Sequence, residues 1–175
     1  MKVRLTSYDE NWARMYEEEA QVLRGIFGDE IRALEHFGST AVPGMKAKPV
    51  VDMICLVKDI QVIDGYNDRM HALGYDVAGE WGIAGRRLFR KGGEQRTHHI
   101  HFYPYEHPQI LRHLVFRDYL QAHPEEVERY SAMKEELAQR YEDTSDYSKG
   151  KKPFVQEMEQ RALQWHSEKT KYGTQ

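Results

Sequence analysis

Residues 35–57 read EHFGSTAVPGMKAKPVVDMICLV, and the second half of that stretch decides the fold. From Val50 to Val57 every residue is apolar except Asp52. A run this short, bounded by turn residues and rich in β-branched side chains, predicts a strand buried on both faces. An ionised carboxylate inside such a strand is costly unless it is paired, hydrogen-bonded or bound to a metal. Asp52 therefore has two readings. It caps a loop or pairs with an arginine at the strand end, or it ligates a divalent cation, magnesium or manganese, at the sheet edge. Ahead of it lies Gly38-Ser-Thr-Ala-Val-Pro-Gly44, whose glycines, proline and hydroxyls are turn chemistry. Glycine lets backbone approach a ligand closely, and Ser39 and Thr40 add hydroxyls to the backbone N–H groups, so this turn suits an anion. Lys48 adds a cation just before the strand. The turn is not a Walker sequence, and no G-x-G-x-x-G run follows a strand.

Working outward, Asp9 can cap a helix presenting Trp12, Met15, Tyr16, Leu23 and Phe27 at helical spacing. A short strand is expected over residues 33–37, and a helix through Val62, Tyr66, Met70 and Leu73 that stops at Gly74. Three further strands are expected, over 75–78, 87–90 and 97–103. Helices are expected over 109–121, 125–142 and 153–168, with Pro124 and Pro153 in their first turns. Strands separated by helices and followed by a helical tail predict an α/β (α+β) layer sandwich, as one domain over residues 1–175.

The last predicted strand carries His98, His99 and His101. Side chains alternate along a strand, so His99 and His101 project together with Thr97, while His98 joins Ile100 and Phe102 on the apolar face. A same-face histidine pair can bind zinc or a similar metal, or hydrogen-bond a phosphate; it can equally be structural. Arg86, Arg87, Arg90, Lys91 and Arg96 crowd the preceding segment with one acid, Glu94. That segment is either a solvated hairpin or a source of phosphate contacts, chiefly from Arg87 and Arg96. Lys134 falls within the helical stripe Val127, Tyr130, Leu137, Ala138 and Tyr141, so a lysine faces the protein there, snorkelling to the rim or reaching an anion. Lys149, with Lys151 and Lys152, adds positive charge further on.

Composition limits the classes of function. Hydrophobic residues form 40% of the 175 and charged residues 30%, the balance of a chain that folds around a core. With 25 basic and 28 acidic side chains the net charge is -3, which argues against bulk nucleic-acid binding or a membrane-surface coat. Uncharged stretches are too short to span a bilayer, and no apolar core follows Met1, Lys2, Val3 and Arg4 to mark export. The single cysteine, Cys55, lies in the apolar run and reads as a buried hydrophobe in a reducing compartment; the cytoplasm is the expected location.

The chain resembles the GrpB family, an uncharacterised bacterial family. The resemblance rests on Trp12, the 35–53 stretch, "RTHHIHFY" at 96–103, "FRDYL" at 116–120, Tyr130 with Lys134, and "YSKGKKPF" at 147–154. GrpB proteins are similar to the nucleotidyltransferase superfamily. That similarity implies a mixed sheet, a Gly-Ser pair opening a phosphate-binding turn, and an aspartate on the next strand, matched here by Gly38-Ser39 and Asp52. It also implies a second carboxylate two residues later, where this chain has Ile54, and paired carboxylates are what hold two metals. Either another group, such as His99 or His101, completes the site, or the domain binds a nucleotide without transferring it. The expected functions are a metal-dependent nucleotidyltransferase acting on a nucleoside triphosphate and an unknown acceptor, a non-catalytic binder of a nucleotide or phosphorylated metabolite, and a metal-dependent hydrolase.

Overall fold

A computed structural model describes residues 2–171. Its centre is a five-stranded mixed sheet of β1 (Ile31–Phe37), β2 (Val51–Val57), β3 (Tyr75–Gly79), β4 (Arg87–Lys91) and β5 (His98–Pro104). The spatial order is β1-β2-β5-β4-β3, with β2 and β5 parallel and every other pair antiparallel. Helix α1 (Asn11–Phe27) precedes the sheet, and α2 (Asn67–Ala72) joins β2 to β3. Helices α3 (Pro108–Ala122), α4 (Pro124–Arg140) and α5 (Thr144–Lys171) follow it. This is the α+β fold with a helical tail expected from the strand and helix periodicities. Among the described residues no helix is long and apolar enough to cross a membrane.

The two sheet faces are used differently. Val51, Met53, Cys55 and Val57 alternate onto one face with Ile100 and Phe102, where they meet Trp12, Ala20, Leu23 and Phe27 of α1. Burial pushes the Cys55 thiol well up, in keeping with an inert core residue. His98 also turns away from the other two histidines and is buried. On the second face, Phe37, Ile54 and Tyr103 form a smaller cluster with Ile83, Ile110 and Leu114. A third cluster joins α3, α4 and α5 to Val42 and Met45 of the loop before β2. The helical layer thus grips that loop, and a gap lies between it and the sheet around Asp52.

Three elements depart from expectation. The segment expected as one helix through Val62 and Leu73 is a 3-10 helix, Ile60–Tyr66, followed by the short α2; Asp59 caps the first part by accepting from the Gln61 amide at 3.0 Å. The last helix starts nine residues early. Asp143 accepts from the Ser145 amide at 2.8 Å and starts α5 at Thr144, so Pro153 lies inside the helix rather than in its first turn. Proline there forgoes one main-chain hydrogen bond, a loss that packing against α3 and α4 overrides. Finally, the Gly38 turn contains a 3-10 turn, Ser39–Ala41.

Candidate metal and phosphate site

Strand pairing explains how the site side chains meet. Asp52 is directly opposite His99 across the parallel β2–β5 pair, and Ile54 is opposite His101. Partners in register share a face, so Asp52, Ile54, His99 and His101 form one square on the second face of the sheet. His101 therefore occupies the strand next to Ile54, the position where a second carboxylate was expected. One ligand atom from each of Asp52, His99 and His101 lies within 4.8 Å of the other two. His101 Nε2 is 3.2 Å and His99 Nδ1 3.6 Å from Asp52 Oδ1. Burial alone would raise the Asp52 carboxyl, but the imidazoles of His101 and His99 hold it well below the usual carboxylate range.

Gly38 is required by this geometry. Its φ is +74°, and a Cβ there would fall 2.8 Å from Asp52 Oδ2. Only glycine lets the turn cross directly over the carboxylate. Ser39 follows, with its Oγ accepting from Lys134 Nζ at 2.7 Å. The same ammonium donates to the Lys46 carbonyl at 2.9 Å and lies 4.0 Å from the Tyr130 ring centroid. Lys134 is 3% exposed, and burial, reinforced by Lys151, pushes its pKa well down. It reaches into the site instead of snorkelling out.

Two adjoining cavities meet at Asp52. A polar chamber of about 220 Å³ is lined by Ser39, Thr40, Asp52 and His99 together with Arg4, Lys48, Lys134 and Lys151. Burial also lowers the Lys48 and Lys151 pKa values. A second chamber of about 300 Å³ shares Ser39, Asp52 and Lys151 with the first and is otherwise largely apolar.

The remaining expected residues fall elsewhere. Arg87 is opposite Phe102, on the α1 face, and its guanidinium is bound to Asp64 at 2.7 Å. Arg96 pairs with Asp76 at 2.7 Å; what it offers the site is its carbonyl, which accepts from Arg4 at 3.0 Å and steadies that arginine beside the polar chamber. Lys149 is exposed on α5 and lines neither chamber. The α5 residues at the polar chamber are Thr144, Tyr147, Ser148 and Lys151. Their spacing is helical, a signal hidden when the segment is read as coil. The sequence places Arg86 only among the basic residues of the 86–96 segment, and gives no signal for His113. Arg86 Nη1 lies 3.4 Å from His101 Nδ1, and His113 reaches the second chamber from α3.

The Arg86 contact bears on which cation fits. A guanidinium can only donate, so the hydrogen-bond network assigns His101 Nδ1 as acceptor and leaves the ring proton on Nε2, pointing at Asp52. Metal-bound histidines show the opposite arrangement, donating their second N–H to a carbonyl or carboxylate. Asp52 and His99 thus suit a cation as they stand. His101 suits one only if its ring turns over or Arg86 withdraws.

Residues 2–161 match the family model described as "GrpB protein". The chain belongs to the GrpB family. It is similar to "UPF0157 protein YqkA" of Bacillus subtilis (strain 168), with 44% identity over 94% of this chain and 48% of that one. The chain therefore spans about half the length of that relative. "Glutamate-rich protein GrpB" of Alkalihalophilus pseudofirmus is 32% identical over 90% of this chain and 94% of its own. A crystal structure of "conserved protein GrpB from Enterococcus faecalis" superposes with a TM-score of 0.90 at 38% identity, covering 93% of this chain and 99% of that one. The fold is thus shared with a solved GrpB protein.

Proposed function

We propose that this GrpB protein binds a nucleoside triphosphate with one divalent cation, magnesium or manganese, and transfers its nucleotidyl group to a small acceptor. The observation that carries the reading is the meeting of Asp52 and His99 with Ser39, Lys48, Lys134 and Lys151 at one chamber. Asp52 and His99 would hold the cation, whose chemistry is to neutralise phosphate oxygens as charge develops. The lysines attract the polyphosphate, and an anion beside Lys134 restores the favourable solvation that burial removes from its ammonium. Ser39 and the backbone of the Gly38 turn orient it. His101 keeps its proton and steadies Asp52 by hydrogen bonding.

In the transfer, an acceptor hydroxyl or amine attacks the α-phosphorus and the bond to the bridging oxygen breaks. Pyrophosphate leaves with that electron pair, and the acceptor's proton passes to solvent. Positioning and electrostatics supply most of the acceleration in such reactions. Ile54 favours a second reading, a nucleotide binder without transfer, because one carboxylate holds one metal and not two. The test is a thermal-shift panel of the four nucleoside triphosphates with and without Mg²⁺ or Mn²⁺, followed by pyrophosphate release with candidate acceptors. Joint stabilisation with pyrophosphate release is expected. Stabilisation without release under any acceptor supports the binder, and no stabilisation by any pair overturns both.

A further inference from the structure

We propose that the second chamber is a subsite for a flat, uncharged heteroaromatic ring, supplied either by the acceptor or by the nucleotide's own base; the choice of sources rests on the transfer reading above. The walls are Phe37, Phe116, Leu120, Tyr130 and Val155, around a volume of about 300 Å³. That is near the lower end for small-molecule sites and suits one ring system with a short substituent. The charged groups at its wall are mostly engaged. Arg117 donates to Glu35 at 2.7 Å and to the His36 carbonyl at 3.0 Å, while Arg112 holds Glu159 at 2.9 and 3.0 Å.

Lys151 belongs equally to the polar chamber, and His113 is an uncharged polar group that this chamber has to itself. Its ring packs 4.8 Å from Phe37 and 6.5 Å from His101, centroid to centroid, with no hydrogen-bond partner among the described residues. Burial pushes its pKa down to about 4, so it is neutral near pH 7. A neutral imidazole offers one donor and one acceptor, the pairing that ring nitrogens and exocyclic groups of a heterocycle present. A polyphosphate is drawn instead to the lysine-rich chamber next door. Both chambers border Asp52, so a ring seated here places its substituent at the cation and the phosphates.

The experiment is ligand-observed NMR and calorimetry on the full chain, with adenosine, guanosine, cytidine, uridine and benzimidazole as ring probes and tripolyphosphate with Mn²⁺ as the anion probe. At least one ring probe should bind the wild type. His113→Phe preserves the ring's bulk and should weaken that probe about 10-fold, the effect of one lost hydrogen bond, while leaving tripolyphosphate unchanged. Val155→Phe, which fills the chamber, should block the probe in a protein whose melting temperature and tripolyphosphate binding are retained. Displacement of the probe by a nucleoside triphosphate, but not by tripolyphosphate, assigns the ring to the nucleotide. Simultaneous binding of probe and triphosphate assigns it to the acceptor. No binding of any ring probe, or equal binding to wild type and both variants, overturns the subsite. Ring binding without tripolyphosphate binding would sink the transfer reading and leave the subsite standing.

Discussion

Replacing Lys134 with methionine should make the protein more stable and its phosphate site weaker. Lys134 is 3% exposed, donates to Ser39 Oγ and the Lys46 carbonyl, and packs on Tyr130. Even with those contacts its pKa is pushed well below the usual lysine range by burial, so the protonated form is disfavoured on folding. Methionine keeps the length and apolar volume without the charge. Its gain is the burial penalty of the ammonium less the two hydrogen bonds lost, a net of about 2 kcal/mol. For a chain of this size that raises Tm by about 4–8 °C. The pH dependence gives the sign independently. Where the pH lies between the folded and unfolded pKa values of Lys134, the unfolded chain binds more protons, so wild-type stability rises with pH. The slope contributed by this group is about 1.4 kcal/mol per pH unit. The variant lacks it, so its advantage is full below the folded pKa and shrinks as pH climbs towards the unfolded value. Urea unfolding of both proteins across neutral and alkaline pH checks this, with tripolyphosphate calorimetry alongside. A variant less stable than wild type, with a parallel pH profile, would refute the reasoning.

Gly38→Ala puts a Cβ 2.8 Å from Asp52 Oδ2 at a φ of +74°, so chemical denaturation should show a loss of at least about 1–2 kcal/mol, with cation binding impaired. A loss of only a few tenths would show that the turn moves freely off the carboxylate. Arg86→Gln removes the obligate donor facing His101 Nδ1 and lets that ring become a metal ligand. Zn²⁺ or Mn²⁺ titration without nucleotide should then bind at least 10-fold more tightly than in wild type, and an unchanged affinity would remove Arg86 from control of the site.

Asp52 was legible because a charge inside an unbroken apolar strand is conspicuous in any sequence. His99 and His101 were legible because a period of two sorts them from His98, and Lys134 because a helical stripe carried it inward. These signals are local. The failures lie where position depends on which strand edge meets which. Nothing in residues 86–96 says that β4 pairs with β5 so that Arg90 and Leu88, not Arg87, share the face of His99 and His101. Arg86 and His113 likewise meet His101 through tertiary packing that no short-range period encodes. With Pro153 expected in a first helical turn, residues 149–152 carry no helical period, so nothing in the sequence separates Lys149 from Lys151. Once α5 begins at Thr144, Tyr147 and Lys151 fall one turn apart on the face that lines the polar chamber.

The central claim is that Asp52 and His99 hold a cation together with phosphate oxygens, so that neither ligand binds well alone. Isothermal titration of Mn²⁺ in the absence and presence of a saturating nucleoside triphosphate tests this directly, in wild type and Asp52→Asn. The coupling should tighten cation binding at least 10-fold when nucleotide is present, with nucleotide binding tightened by the same factor when Mn²⁺ is present. Asp52→Asn should abolish that coupling while leaving the lysine-rich chamber able to take tripolyphosphate. Equal cation affinity with and without nucleotide in wild type, or unaltered cation and nucleotide binding in Asp52→Asn, would contradict the account and return Asp52 to a structural role.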